Sequence, residues 1–249
     1  MSALRPLEKE FESTLLADVP PKSLHVGIIL DGNRRYAARE GKTKLLGHRA
    51  GADNVHRLIS EWAQKLGITE LTLYAFSMQN FARDLEEVTY LMKLIEEFFV
   101  FFSGLKLKKM NVRVEFIGRR ELFSESIQNI MSKVEDESRT NTGVLVRFAM
   151  AYGGREEICD AVTKVVELAC EGKIVVPVTP EVLSSYMYTS SEPDLIIRSG
   201  GERRTSNFLM WQSWYSEWFF VEKFWPEFSF DDLNEVVRAF SLRERRFGK

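Results

Sequence analysis

The stretch His25-Val26-Gly27-Ile28-Ile29-Leu30-Asp31-Gly32-Asn33-Arg34-Arg35 decides the fold. It begins as a β-branched, aliphatic run and breaks at Asp31-Gly32-Asn33, the pattern of a buried strand ending in a turn. Similar runs recur at Leu71 to Phe76, Val112 to Ile117, Val144 to Ala151, Leu195 to Ile197 and Trp218 to Val221. Between them, apolar residues repeat at helical spacing. Val55, Leu58, Ile59, Trp62 and Leu66 mark one helix, closed by Gly67. Leu85, Val88, Leu91, Met92, Ile95, Phe98, Phe99 and Phe102 mark a longer one. Further helices are expected from about Arg120 to Glu137, over Ile158, Val162, Val165 and Ala169, and from about Asp231 to Arg246. Such alternation predicts a single α/β domain with a largely parallel central sheet flanked by helices. Pro20-Pro21 divides an N-terminal helical arm, residues 1–21, from a domain over residues 22–249.

A net charge of −2 over 249 residues gives no global attraction to nucleic acid or acidic surfaces, so no nucleic-acid partner is expected. A polyanionic ligand must be held by local arginine clusters. Cys159 and Cys170 fall on one expected helix, separated by about 16 Å, too far for a disulfide. They read as core thiols in a reducing compartment. His25, His48 and His56 lack zinc-site spacing. The first ten residues are too acidic for a signal peptide, and Phe98-Phe99-Val100-Phe101-Phe102 is too short to span a bilayer. The chain reads as soluble and cytoplasmic.

In parallel sheets, ligands bind beyond the carboxyl ends of the strands. Those ends carry Asp31 to Arg35, Ser77 to Arg83, Gly118-Arg119-Arg120, Gly153-Gly154-Arg155 and Arg198-Ser199-Gly200-Gly201. Glycine admits a ligand to backbone N–H groups, and arginine offers paired donors to phosphate oxygens. No P-loop or G-x-G-x-x-G fingerprint is present, which disfavours nucleotides. Asp31 would repel an anionic ligand unless Mg2+ intervened, and Mg2+ is held by one or two carboxylates plus substrate phosphates. The competing reading of Asp31 is a cap on the next helix. Glu217, a lone acid among aromatics, is a second candidate ligand or an arginine partner. The phenylalanine-rich helix is core plus a dimer contact by default, and beside a phosphate site it would wall an apolar tunnel.

Taken together, these segments resemble the cis-prenyltransferase, or undecaprenyl diphosphate synthase-like, family from about His25 to Gly248. The resemblance rests on His25 to Ala37, Gly47-His48-Arg49-Ala50-Gly51, Leu73 to Ser77, Ala151 to Arg155, Asp194 to Phe208 and Arg243 to Gly248. The Arg34-Arg35-Tyr36 variant is similar to archaeal and eukaryotic members. It implies a magnesium-dependent homodimer that joins isopentenyl diphosphate to an allylic prenyl diphosphate and builds a cis double bond. It makes Asp31 the essential acid and metal ligand, with Glu217 as its partner. Gly32, Asn33, Arg34, Arg35 and Tyr36, with Lys44 and His48, would cradle the allylic diphosphate. Arg198, Arg204, Thr205 and Ser206 would bind isopentenyl diphosphate, helped by Arg246 and Gly248 of the neighbouring subunit. Asn80 and Ser77 fall at positions linked to proton removal, and Met78, Gln79, Phe81 and Arg83 complete the substrate loop. An apolar tunnel beside the sheet would take the growing chain, its crowded phenylalanines favouring a short or medium product. A transient membrane contact would serve product release.

Two departures stand out. The family reads Ser-x-Glu-Asn-Trp-x-Arg-Pro where this chain has Ser77-Met78-Gln79-Asn80-Phe81-Ala82-Arg83-Asp84, losing an acid at Gln79 and a proline at Asp84. Loss of the proline should loosen the loop. Lys44 replaces a common arginine, keeping charge without bidentate geometry. The changes fall mostly on the acceptor side and raise an alternative: irregular head-to-middle coupling to an allylic diphosphate, or a hydroxyl acceptor. A non-catalytic partner subunit is the weaker third reading, since Asp31-Gly32-Asn33 and Arg246-Phe247-Gly248 are both present.

Overall fold

Strand β1 (Leu24–Ile29) is buried at all six positions, as expected of a central parallel strand with neighbours at both edges. The computed structural model describes residues 23–174 and 177–243. The other strands are β2 (Ile68–Ser77), β3 (Arg113–Ile117), β4 (Leu145–Tyr152), β5 (Leu195–Arg198) and β6 (Glu217–Phe220). They form one sheet in the order β3-β4-β2-β1-β5-β6, with every neighbouring pair parallel. Each of the six expected strands falls on one of these.

The helices are α1 (Asn33–Arg39), α2 (Lys44–Arg57), α3 (Leu85–Phe101), α4 (Leu105–Met110), α5 (Glu125–Ser138), α6 (Gly154–Cys170), α7 (Pro180–Ser184) and α8 (Phe230–Ser241). A π-helical turn at Leu58–Trp62 and a last α-turn at Ala63–Lys65 prolong α2. Helix α3 lays Leu91, Leu94 and Phe99 on the core, where Phe99 meets the rings of Phe116 and Phe148 edge-on. Helices α1 and α2 touch so closely that a Cβ on Gly47 would lie 2.1 Å from the Asn33 carbonyl oxygen. One on Gly51 would lie 2.4 Å from Asn33 Oδ1, so both glycines are required there.

Register positions the site. Ile29 of β1 lies opposite Tyr74 of β2 on one side and Arg198 of β5 on the other. The chain leaves β1 towards β2, while β5 and β6 add to β1's opposite edge. Asp31 therefore emerges at the crevice where the strand order reverses, the usual ligand position in such sheets.

Several expectations need correction. Cys159 and Cys170 are exposed rather than core thiols, because α6 turns Ala161 and Val165 inward and leaves Val162 43% exposed on its outer side. The expected helix from Arg120 begins as a 3-10 turn, Arg120–Leu122, and α5 starts only after Ser124, whose Oγ accepts from Ile127 N–H at 3.4 Å. Helix α8 ends at Ser241 rather than Arg246. The N-terminal arm, Arg246 and Gly248 lie outside the described residues.

Candidate active site

A cavity of about 1030 Å3 opens at the carboxyl ends of β1, β2 and β5. Arg34, Arg35, Lys42, Lys44, Arg83, Arg198 and Arg204 line it, against only the carboxylates of Asp31 and Glu202. In a chain of net charge −2, that concentration of cations marks an anion site.

Asp31 is the pivot. Its Oδ2 accepts from Arg198 Nη2 at 2.8 Å, and its Oδ1 accepts from Gly32 N–H at 2.6 Å and lies 3.2 Å from Arg35 Nη2. Burial pushes its carboxyl up, but Arg198, Arg35 and the Gly32 N–H outweigh burial and hold it below the usual range. Arg198 also donates Nη1 to Ser206 Oγ at 2.7 Å and to the Arg204 carbonyl at 2.5 Å. Ser199 Oγ braces the turn, accepting from Asp31 N–H at 3.1 Å and donating to the Asp31 carbonyl at 2.9 Å. Gly32 sits at φ 105, and any Cβ there would strike Phe224 at 2.7 Å.

The second organiser is Glu87, which the sequence reading did not single out. It is fully buried in the first turn of α3. Its Oε1 accepts from His48 Nε2 at 3.0 Å and Arg83 Nη1 at 3.1 Å. Lys44 Nζ and Arg34 Nε lie 3.2 and 3.8 Å from its Oε2. Burial raises its carboxyl, but His48, Lys44, Arg83 and Arg34 together lower it below the ordinary value. Burial also lowers the His48 imidazolium despite Glu87. The contact is therefore a neutral imidazole donating to a carboxylate rather than an ion pair. The detectable signal was position: Glu87 occupies the apolar stripe four residues before Leu91 and four after Arg83.

Of the expected site residues, Asp31, Gly32, Asn33, Arg34, Arg35, Lys44, His48, Ser77, Gln79, Asn80, Arg83, Arg198, Arg204 and Ser206 line the cavity. Tyr36 does not: its ring lies beneath Arg39 and Lys42, at 5.6 and 5.8 Å. Met78 and Phe81 turn into the core, Phe81 meeting Phe76 at 4.9 Å. Thr205 faces Met210. Asn80 Oδ1 accepts from Ser77 N–H at 3.0 Å, so this amide shapes the loop. An amide offers donors and a carbonyl acceptor but no base, so its chemistry suits orienting a group rather than taking a proton. Tyr74, also unforeseen, donates to the Ser206 carbonyl at 3.2 Å and stacks on Phe208. Where the family has proline, Asp84 accepts from Lys44 Nζ at 2.5 Å, a contact between this loop and α2.

Glu217 is misplaced as a partner of Asp31 within one chain. It is the first residue of β6 and aligns with Leu195, whereas Phe220 aligns with Arg198. Three residues of strand, about 10 Å, separate these levels, and parallel strands put Glu217 at the opposite end of the sheet. Its Oε2 accepts from Arg243 Nη1 at 2.6 Å. Among the described residues no group of three His, Cys, Asp or Glu is gathered for a metal. Asp31, 29% exposed at the rim of a cationic cavity, suits Mg2+ carried mainly by phosphate oxygens.

An apolar cleft of about 120 Å3 adjoins the polar cavity, and both share Leu30, Asn33, His48, Tyr74, Ala75 and Leu91. Leu94, Ile95, Phe98 and Phe99 of α3 face Phe148, Met150 and Trp225 across it. A cavity of about 150 Å3 holds benzene, so the cleft takes about one five-carbon unit before its side chains move. The expected tunnel is thus present as a narrow groove.

Comparison with known proteins agrees with this geometry. Residues 29–248 match the prenyltransferase family described as "Putative undecaprenyl diphosphate synthase". The chain is 42% identical over 252 residues to a tritrans,polycis-undecaprenyl-diphosphate synthase (geranylgeranyl-diphosphate specific) of Methanocaldococcus jannaschii, covering 99% of this chain and 89% of that one. It is 40% identical to an isoprenyl transferase of Thermus thermophilus, covering 98% and 97%. The crystal structure of lavandulyl diphosphate synthase from Lavandula x intermedia in complex with dimethylallyl diphosphate superposes with a TM-score of 0.85 at 33% identity, covering 92% of this chain and 99% of that one.

Proposed function

The chain belongs to the undecaprenyl diphosphate synthase family and is a prenyltransferase, and from that premise we propose that its cleft joins an allylic prenyl diphosphate to isopentenyl diphosphate, forming a cis double bond. The observation that carries this reading is the junction of a seven-cation cavity with an apolar groove, sharing Asn33, His48 and Tyr74 at their seam. One substrate has that shape: a charged head on a greasy tail.

In the reaction the allylic carbon–oxygen bond breaks, diphosphate leaves with the electron pair, and the alkene of the acceptor forms the new carbon–carbon bond. The cation left on C3 of the acceptor is then quenched by loss of a proton from the neighbouring C2, whose electron pair forms the new double bond. Arg34, Arg35, Lys44 and His48 hold the departing diphosphate and stabilise the charge it gains. Glu87 fixes His48, Arg83, Lys44 and Arg34 in place, so little reorganisation accompanies bond cleavage. Arg198, Arg204 and Ser206 pin the acceptor's diphosphate, holding the reacting carbons within about 3–3.5 Å. The departing diphosphate offers oxygens for the released proton, while Asp31, kept ionised by Arg198 and Arg35, stays a carboxylate. Asp31 would hold Mg2+, which supplies further neutralisation of diphosphate charge. Residues 22–249 act as one cytoplasmic domain in a homodimer. Edge strand β6 and the exposed Trp214 and Tyr215 beside it supply apolar surface for a second copy.

A second reading has one observation behind it. Two departures from the family pattern, Lys44 and Asp84, pair with each other, and Gln79 replaces an acid at the rim. An allylic diphosphate in the acceptor seat, giving head-to-middle coupling, is the alternative product class. Both readings meet one experiment: incubation of purified protein with Mg2+, labelled isopentenyl diphosphate and a panel of allylic diphosphates, then product mass and connectivity. Regular cis products support the first reading, branched products from allylic substrate alone the second. Absence of any prenyl transfer overturns both.

A further inference from the structure

Gly153-Gly154-Arg155 follows β4, yet none of the three lines the cavity. Their partner, Asn207, does line it. The Asn207 carbonyl accepts from Gly154 N–H at 2.7 Å, and Asn207 Oδ1 accepts from Arg155 N–H at 2.8 Å. Its Nδ2 donates to Glu156 Oε2 at 2.9 Å. Gly153, the N-cap of α6, has no side chain to offer, so a residue of a distant loop satisfies the first N–H groups of that helix. The fit is tight. A Cβ on Gly153 would lie 2.6 Å from Asn207 Nδ2 and 2.1 Å from Glu156 Oε2. One on Gly154 would lie 2.7 Å from Met210 Cγ. The two glycines form a socket that Asn207 fills.

Backbone strain gathers at the same place. Among the described residues five non-glycine residues hold a positive φ, and four of them meet here: Ala151 at 46, Ser206 at 50, Asn207 at 64 and Leu209 at 44. Asparagine tolerates that conformation, whereas alanine, serine and leucine adopt it only where their surroundings hold them. Ala151 is an extra residue in β4, since Phe76 and Ser77 pair with Met150 and Tyr152. Tyr74 adds a clasp, its hydroxyl reaching the carbonyl of Ser206 at 3.2 Å and that of Tyr152 at 3.3 Å. What the strained turn sets is the direction of Ser206. Its Oγ accepts from Arg198 Nη1 at 2.7 Å, and Arg198 in turn holds Asp31 Oδ2.

We propose that Asn207 is a positioning residue for the acceptor seat. Docked in its socket on α6, it keeps Ser206, Arg198 and Arg204 aimed at the diphosphate of the acceptor. The donor seat is fastened separately, through Glu87 to His48, Arg83 and Lys44, so loss of Asn207 is felt by one substrate and not the other. The identity of the ligand rests on the prenyl-transfer reading.

The test compares the full-chain parent with Asn207→Asp, Asn207→Gly and the pair Asn207→Asp with Glu156→Gln. Asn207→Asp sets a carboxylate against Glu156. Asn207→Gly keeps the left-handed backbone and removes both side-chain bonds. In the pair the bond returns with donor and acceptor exchanged. Calorimetric titration gives the Kd of isopentenyl diphosphate with Mg2+ and geranyl S-thiolodiphosphate, whose carbon–sulfur bond resists cleavage, in the donor seat. Initial rates give both KM values. Each single variant should bind isopentenyl diphosphate about 10- to 30-fold more weakly, with KM for the allylic diphosphate within about twofold of the parent. The pair should recover to within about threefold of the parent. Unchanged acceptor affinity in Asn207→Gly, at unchanged circular dichroism, overturns the proposal. So does an equal loss for both substrates, which makes Asn207 a support of the whole fold, or a pair no better than Asn207→Asp alone. A parent that binds isopentenyl diphosphate more tightly than the single variants, yet transfers no prenyl group, upholds the positioning role and overturns the reaction.

Discussion

Both ends of the same sheet carry charged clusters, yet they are built differently. At the amino end, His25 meets Thr72 Oγ1 through Nε2 at 2.8 Å and Ser191 Oγ through Nδ1 at 3.2 Å. Arg147, from β4, bonds Glu70 and also donates Nε to Glu115 at 2.9 Å. No buried side-chain atom of this cluster lacks a partner among the described residues. At the carboxyl end, Asn33 Oδ1, Glu87 Oε2 and Arg198 Nε are all buried without a hydrogen bond. Lys44 lies 3.2 Å from that Glu87 oxygen, but only as a charge contact. Buried polar groups are nearly always satisfied, and of these atoms Arg198 Nε, a donor beside Asp31 at the cavity, is the one an anionic ligand could satisfy. Asn54 Oδ1 and Gln212 Oε1 are orphaned elsewhere. Closed networks stabilise; open ones bind.

The sharpest way to break this contrast is Asp31→Ala. Turnover with Mg2+ and both diphosphates should fall at least about 1000-fold, and the melting temperature should fall too, because Arg198, 3% exposed, loses its carboxylate partner. Retained activity would remove Asp31 from the chemistry. Glu87→Gln comes next. Kinetics at varied allylic diphosphate should show kcat/KM lowered about 30- to 100-fold, mostly through KM, because four donors lose their shared anion. An equal loss in the dependence on both substrates would mean that Glu87 supports the fold rather than the donor seat.

At the amino end the expectation reverses. Arg147→Met strands the carboxylate of Glu70, while Glu115 keeps Arg113 at 2.7 Å; the loss costs about 3 kcal/mol and about 10 °C of melting temperature, with KM values unchanged in the folded protein. Differential scanning calorimetry beside initial rates separates these outcomes. His25 supplies the pH arm. Burial first, then the Arg147 charge, lowers its imidazolium to about 3, despite Glu70 Oε1 lying 3.3 Å from Nδ1. Since the folded form binds its proton less readily than the unfolded chain, His25 contributes stability that is complete above pH 6.5 and is lost as pH falls towards 3. The slope is about 1.4 kcal/mol per pH unit. Urea midpoints measured from pH 7 to 5 should decline, and His25→Asn should flatten the decline. Asp31 and Glu87, both lowered, add their losses only as pH falls through the carboxylate range.

The carboxyl end was legible in the sequence because its groups are contiguous. Asp31 to Arg35 and Arg198 to Ser206 each run on from the end of one strand, so periodicity located them and their glycines and arginines pointed to an anion. The six strands were legible for the same reason. The amino-end network was not, since His25, Glu70, Thr72, Glu115 and Arg147 come from four strands and only register brings them together. Glu217 failed on direction: its neighbours revealed a strand, but not that it opens that strand at the far end. Tyr36, Met78, Phe81 and Thr205 turn away from the cavity that their neighbours line, because successive residues of a helical turn point about 100° apart. The cleft's wall followed from helical spacing, while its 120 Å3 width depends on how Phe98, Phe99 and Phe148 interlock.

The smallest expected effect is also the finest probe of openness. Lys44 has two carboxylates within reach, Asp84 at 2.5 Å and Glu87 at 3.2 Å, and only Glu87 is buried. Asp84 is 73% exposed, so water screens its hold on Lys44. If Lys44 serves a diphosphate, it must leave Asp84 on binding while Glu87 keeps its stem in place. Asp84→Ala should then lower KM for the allylic diphosphate, by less than about threefold, with kcat unchanged. Asp84→Pro, which returns the family's residue, should do the same, since Asp84 already holds φ −52 and its N–H carries no helical bond at the cap of α3. A kcat loss above about tenfold in Asp84→Ala would mean that the loop closes through this contact. The carboxyl end would then contain a closed latch of the kind seen at the amino end, and openness alone would no longer distinguish binding from support.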